Sequence, residues 1–244
     1  MKFSSIILIM GIFGFFSNKG KSNRSNQSDN DLQRAESVIV PVPYEDQIET
    51  FKMLGYEHDT EVTKEMILRD VFEMSWEDET EKYLENNPYS ILYYTYGWRD
   101  PNIKNYNYTN KCLWFDLEFF DANIQYKWFM ERLGVITEGE LKFTDIKIET
   151  DSLNWEWINF KVNGKQKNWK LERTGYIADH FVQRFSKLTT EFKTKGKYTY
   201  YDDGGQQWVI DFATEEEQLE FNKRTGLKRE WLGEGNHFSE PPKE

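Results

Sequence analysis

Asn163-Gly164 stands between two strand-patterned runs, residues 155–162 and 165–172, and constrains the chain more than any other feature. A two-residue hairpin loop needs positive φ at both positions, which Asn and Gly tolerate and most residues do not. The runs are expected to pair antiparallel. Ile158, Phe160 and Val162 then share one face, and Trp155 and Trp157 the other.

Other strand signals follow. Leu113, Phe115, Leu117 and Phe119 alternate with Trp114, Asp116 and Glu118, the period of a strand with one buried face. Leu141 and Phe143 share one phase and Ile146 and Ile148 the other, so a bulge near Thr144 is needed to reconcile them. Residues 198–201 and 206–212 flank Asp202-Asp203-Gly204-Gly205 as a second hairpin, with Trp208, Ile210 and Phe212 inward. Residues 89–96, rich in Tyr, Ile and Leu, also read as a strand, and 97–110 as a turn-rich connection.

Helical spacing marks the rest. Ile48, Phe51 and Leu54 predict a helix over 45–56; Met66, Ile67, Val71 and Met74 predict one over 62–74, capped by Asp59 or Thr60. Residues 77–85 form a short acidic helix stopped by Asn86-Asn87-Pro88. Asp121 caps a helix over 122–133 that buries Tyr126, Phe129, Met130 and Leu133 and ends at Gly134. Phe181, Phe185, Leu188 and Phe192 place a helix over 177–192, and Thr214 with Glu217 opens a last helix that Gly226 closes.

These elements predict an α+β fold with a mostly antiparallel β-sheet built from hairpin-plus-helix units over 89–134, 154–193 and 197–226. Helices cover one face, and an N-terminal helical section packs on the sheet. The globular domain is expected over 41–232, with an acidic helical part at 41–88, a sheet-and-helix part at 89–232, and a flexible tail at 233–244. With nine Trp, 14 Tyr and 18 Phe, its core is built largely of rings.

Residues 4–16 carry an apolar run behind Met1-Lys2, shorter than the roughly 20 residues a membrane helix needs, so 1–17 reads as a signal peptide or signal anchor. Phe15-Phe16-Ser17-Asn18-Lys19 resembles the lipobox of bacterial lipoproteins, with Asn18 where the lipidated cysteine would stand. That resemblance implies export without a lipid anchor. Residues 18–40 are too polar to offset their chain entropy and read as a disordered linker.

The net charge of −11 concentrates in residues 41–100, which hold five Lys and Arg against 15 Asp and Glu. Such a lobe repels nucleic acid and favours a cationic partner. Cys112 is the single cysteine, so no disulfide framework exists within the chain, and its apolar surroundings predict a buried thiol. His58, His180 and His237 are isolated, and no metal motif, phosphate-cradling glycine loop or nucleophile elbow occurs. Asp116, Glu118, Asp202 and Asp203 lie near rings that can stack on sugars. Asp203 to Trp208 resembles the Asp-box turn of sialidase-like propellers in spacing, but occurs once and has Tyr201 where Ser or Thr belongs; it reads as an ordinary hairpin turn.

The expected binding residues are therefore Trp155, Trp157, Tyr198, Tyr200, Asp202 and Asp203, with no catalytic residue, metal or cofactor. Coverage of the Trp-bearing face by the acidic helices is the competing arrangement. The functional expectation is an exported, non-enzymatic protein that binds another macromolecule through aromatic and acidic surface, such as an immunity-type protein neutralising a secreted toxin. The alternatives are an envelope carbohydrate-binding module or glycoside hydrolase using Trp and carboxylates, and a structural envelope protein. The expected partner is a protein of cationic character and not nucleic acid, met in the periplasm, the cell envelope or outside the cell. Membrane contact is expected only through an uncleaved N-terminal segment.

Overall fold

A computed structural model of the chain describes residues 40–58, 62–98, 108–116, 122–171, 179–205 and 207–233. All of them belong to the compact unit Ile39–Glu244. The signal segment, the linker up to residue 39, Asp59, Thr60, Leu117, Glu118, Phe119, Asp121 and the tail from residue 234 with His237 lie outside the described residues.

The α+β class holds, with helices gathered toward the N-terminus and two antiparallel sheets. Helix α1 (Tyr44–Met53) buries Tyr44, Gln47, Ile48 and Phe51, a single stripe at helical spacing. Helix α2 (Lys64–Ser75) starts at Thr63, whose hydroxyl accepts from the Met66 N–H at 3.4 Å. Helix α3 (Thr80–Asn86) follows, and the buried Gln47 amide ties the three segments: it donates to Val42 O at 2.8 Å and Leu84 O at 3.3 Å and accepts from the Tyr89 N–H at 2.8 Å.

Residues 90–97 form helix α4 (Ser90–Gly97) instead of the expected strand. Leu92, Tyr93, Tyr94, Thr95, Tyr96 and Gly97 are all buried, so the helix is apolar around its circumference and carries no 3.6-residue signal. A short, continuously buried run reads alike in either state, and packing decides.

Strands β1 (Cys112–Asp116), β5 (Lys197–Asp202), β6 (Gln207–Ala213) and β7 (Glu230–Trp231) form a four-stranded sheet in the order β1-β6-β5-β7. Its two faces serve two cores. Leu113, Phe115, Tyr198, Tyr200, Trp208 and Ile210 pack with helices α5 (Ala122–Ile136) and α6 (Asp179–Phe192). Cys112, Tyr201 and Val209 pack instead with α1 to α4 and with α7 (Glu215–Thr225), which supplies Phe221. The expectation of helices on one face is thus corrected: this sheet is a middle layer covered on both sides.

Strands β2 (Phe143–Thr150), β3 (Glu156–Val162) and β4 (Lys165–Lys170) form a separate sheet in the order β2-β3-β4. One expected sheet is therefore two. Asn163 and Gly164 take φ of 48° and 81°, as the hairpin requires, and Val162 pairs with Lys165. The expected bulge lies between Thr144 and Lys147, where Asp145 has φ 55° and carries the phase change. Gly134 does not end α5. It lies inside the helix, where a Cβ would stand 3.1 Å from the Phe143 ring, so its missing side chain lets helix and β2 approach. The Thr214 and Glu217 capping box and the left-handed Gly226 bound α7 as the sequence predicts.

Candidate functional site

Among the described residues, the three-stranded sheet buries one face. Phe143, Ile158, Phe160 and Val162 enter the core with α5 and α6, whereas Thr144, Lys147, Glu149, Trp157, Asn159, Lys161, Gln166, Asn168 and Lys170 point the other way and stay exposed or half-buried. The acidic helices pack on the four-stranded sheet, so they do not cover the Trp-bearing face.

Asp151 builds the upper rim of this face. Its Oδ1 accepts from the backbone N–H groups of Leu153 and Trp155, each at 2.9 Å, which folds residues 151–155 into a tight loop with Asn154 at φ 65°. Its Oδ2 accepts from the Trp157 indole N–H at 2.9 Å. One carboxylate therefore holds the Trp155 backbone and the Trp157 indole. The Trp155 N–H and the Trp157 indole hold the Asp151 carboxyl below the usual carboxylate range, because both stabilise its charged form. Trp155 is 41% exposed and lies under the Lys170 ammonium, 3.4 Å from the ring centroid.

Below the tryptophans runs a polar row. The Asn168 amide donates to Asn159 Oδ1 at 2.6 Å, and the Asn159 amide donates to Glu149 Oε2 at 2.9 Å. Glu149, Thr150, Asp151, Trp157, Asn159 and Asn168 line a shallow groove of about 440 Å³. Facing this groove and its margins, Lys147, Lys161 and Lys170 balance Asp145, Glu149 and Asp151, with Lys161 and Asp145 paired at 2.8 Å.

The expected binding residues do not form one surface. Trp157 lies on β3 of the three-stranded sheet with Trp155 just before it, while Tyr198, Tyr200 and Asp202 lie on β5 of the other sheet and Asp203 in the turn that follows. Tyr198 and Tyr200 are 1% and 2% exposed, with hydroxyls donating to Leu133 O and Glu230 Oε2 at 3.0 Å each, so both are core residues and not surface. Asp202 and Asp203 shape their turn by accepting from Gly204 N–H at 2.7 Å and Gly205 N–H at 3.2 Å. Sequence reasoning missed Asp151, Asn159 and Asn168. Asn159 follows from Trp157 by strand period, but Asp151 acts through a loop closure that no spacing rule announces.

A second, more enclosed pocket of about 280 Å³ lies between α1, α7 and β6, lined in part by Tyr56, Lys111, Asp211, Glu217, Glu220 and Arg229. Its acids already have structural partners. Arg229 Nη1 donates to Asp211 Oδ2 at 2.7 Å and to the Tyr56 hydroxyl at 2.8 Å; the Tyr56 and Tyr93 hydroxyls also donate to Asp211. Burial pushes the Asp211 carboxyl up, and the Arg229 guanidinium opposes that push. Glu217 caps α7, Glu220 pairs with Arg224 at 2.5 Å, and Lys111 is drawn to Glu138 at 2.5 Å. This pocket is a structural junction whose charges are spent on each other.

Among the described residues no group of His, Cys, Asp and Glu could hold a metal ion, and no helix is long and apolar enough to cross a membrane. Compared with known proteins, the chain matches no family model, no curated protein and no solved structure.

Proposed function

We propose that this chain works by binding another macromolecule on the outer face of its three-stranded sheet, without bond-making chemistry of its own. One observation carries the reading: Trp155 and Trp157 stand partly exposed at the rim of a groove, held by Asp151 and Lys170. Fixed indoles that present area to solvent lose little entropy on contact, which is why such residues dominate binding energy. The carboxylates of the deeper pocket are engaged in capping and ion pairing, which supports a binder over a hydrolase.

The partner is sought in the cell envelope, in keeping with the export expected from residues 1–17. The test is affinity capture from the envelope fraction with the folded protein and with a Trp155→Ala/Trp157→Ala variant. A stoichiometric partner lost by the double variant and kept by Trp76→Ala, whose ring lies on α2's C-terminal cap, supports the reading. Capture indifferent to both tryptophans of the sheet overturns it.

A further inference from the structure

We propose that the groove on the three-stranded sheet takes a neutral glycan chain, with the Trp157 ring as a stacking platform for one sugar and the Asn168–Asn159–Glu149 row as hydrogen-bonding partner for the next. The proposal rests on the binding function above and names its ligand class.

Charge comes first. The groove lining itself carries Glu149 and Asp151, and on the same face Lys147, Lys161 and Lys170 offset these and Asp145, so the face as a whole offers no net attraction to a polyanion or a polycation. The chain's acidic surplus lies in its N-terminal third, on helices that pack against the other sheet. An uncharged ligand suits this face better than a charged segment does.

Apolar supply comes next. A protein interface needs a desolvated core with several apolar side chains in contact. Among the described residues this groove has one ring, Trp157, with Trp155 at its rim, and its remaining side chains end in amide, hydroxyl and carboxylate groups. A pyranose presents one apolar face of C–H groups and a border of hydroxyls, which one flat indole and a polar row can satisfy together.

The hydrogen-bonding pattern is specific. Each asparagine amide has two N–H donors and two acceptor lone pairs, and a carboxylate only accepts. The donation from Asn168 to Asn159 and from Asn159 to Glu149 uses one donor of each amide and fixes its orientation. Among the described residues, the second N–H of each amide, the Asn168 carbonyl and Glu149 Oε1 have no partner, so donors alternate with acceptors along the row. Sugar hydroxyls both donate and accept, so adjacent hydroxyls complement such an alternation. The row crosses strands about 4.8 Å apart, and Trp157 lies about 7 Å from Asn159 along β3, which places platform and row roughly one sugar apart. Asp151 and Glu149 fix these rotamers before any ligand arrives, lowering the entropy lost on binding.

The experiment is calorimetric titration of the full chain with cellotetraose, chitotetraose and maltotetraose. Saturable binding of at least one is expected, weakened about tenfold or more by Trp157→Ala and by Asn168→Ala, and unchanged in Trp76→Ala. Asn168 is exposed, so its variant keeps the fold and tests the row independently of the ring. If none of the three sugars binds at millimolar concentration, or if binding ignores both substitutions, the glycan assignment is overturned. The broader reading fails separately, by capture that ignores the Trp155 and Trp157 substitutions. A protein captured through those tryptophans, with no sugar bound, would leave the binding function standing and remove the glycan.

Discussion

Asp151 holds the rim of the groove through charge, so the rim is sensitive to acid. Its carboxyl lies below the ordinary value of 3.8 because the Trp155 N–H and the Trp157 indole stabilise the anion. A carboxyl with a depressed folded-state pKa contributes stability above its unfolded value and loses it as pH falls through the folded one. Trp155 and Trp157 are therefore expected to keep their positions at neutral pH and release only below about pH 3.8, seen as a shift of the Trp157 indole N–H resonance. In Asp151→Asn the same release is expected at neutral pH, since an amide N–H pointed at the indole replaces an acceptor with a donor. An unmoved indole resonance in that variant would remove Asp151 from the site. The buried pair of Asp211 and Arg229 behaves differently, because each side chain is only 2% exposed there. Arg229→Ala strands a buried carboxylate and is expected to cost about 3–5 kcal/mol in urea denaturation, whereas Asp211→Asn with Arg229→Met costs less than the single change. A double variant as unstable as Arg229→Ala would show that the charge is not what matters.

Among the elements, α4 shows most directly how packing overrides local preference. Its last residue, Gly97, meets β1 so closely that an added Cβ would lie 2.4 Å from the Trp114 backbone nitrogen and 2.8 Å from its Cβ. Backbone cannot yield as a side-chain tip can, so Gly97→Ala is expected to destabilise by about 1–3 kcal/mol through overpacking, measured as a lower urea midpoint with unchanged slope. Helix α2 ends in the opposite way. Trp76 sits at its C-terminal cap with φ 58°, in the left-handed region where an L side chain is strained and Gly is favoured, and is 66% exposed. Trp76→Gly is expected to stabilise by about 1 kcal/mol, read from thermal melting; a destabilised variant would mean that the contact with Phe72, 6.2 Å between centroids, outweighs the strain. Elements with a turn, a cap or a phase change in their own residues were legible in the sequence: the Asn163-Gly164 hairpin, the Asp145 bulge and the Thr214 box. Helix α4 was not, since burial on every side erases the periodicity that separates helix from strand, and β7, two residues long, has no pattern to read. The site was half legible for the same reason. Alternation placed Trp155 and Trp157 opposite Ile158, but Asp151 is joined to them by a loop contact, and Tyr198 and Tyr200 pair with Phe212 and Ile210 on the face under α5 and α6, while a second layer of helices covers the other face.

At the scale of the molecule, the consequence of that second layer is mechanical coupling. The middle sheet gives alternate residues of β1, β5 and β6 to different cores: Leu113 and Ile210 to one, Cys112 and Val209 to the other. Neither core can dissolve without withdrawing support from the strands that the other needs. Phe51, fully buried in the helical core against Tyr56 and Tyr96 at 5.3 and 5.0 Å, and Phe160, fully buried against Trp169 at 4.8 Å, report on opposite sides of that sheet. Phe51→Ala and Phe160→Ala are each expected to cost about 3–5 kcal/mol by leaving a cavity. If the strands couple the cores, each variant lowers the midpoint of one shared transition, and Trp fluorescence coincides with far-UV circular dichroism throughout. The buried Cys112 thiol, pushed up by burial and seated on the helical side of β1, supplies an internal clock. Its reaction with a thiol reagent should accelerate in Phe160→Ala although that ring lies in the other core, because the sheet must open for the reagent to enter. A Cys112 rate that responds to Phe51→Ala alone would show instead that the helical layer opens by itself and that the sheet divides the molecule rather than joining it.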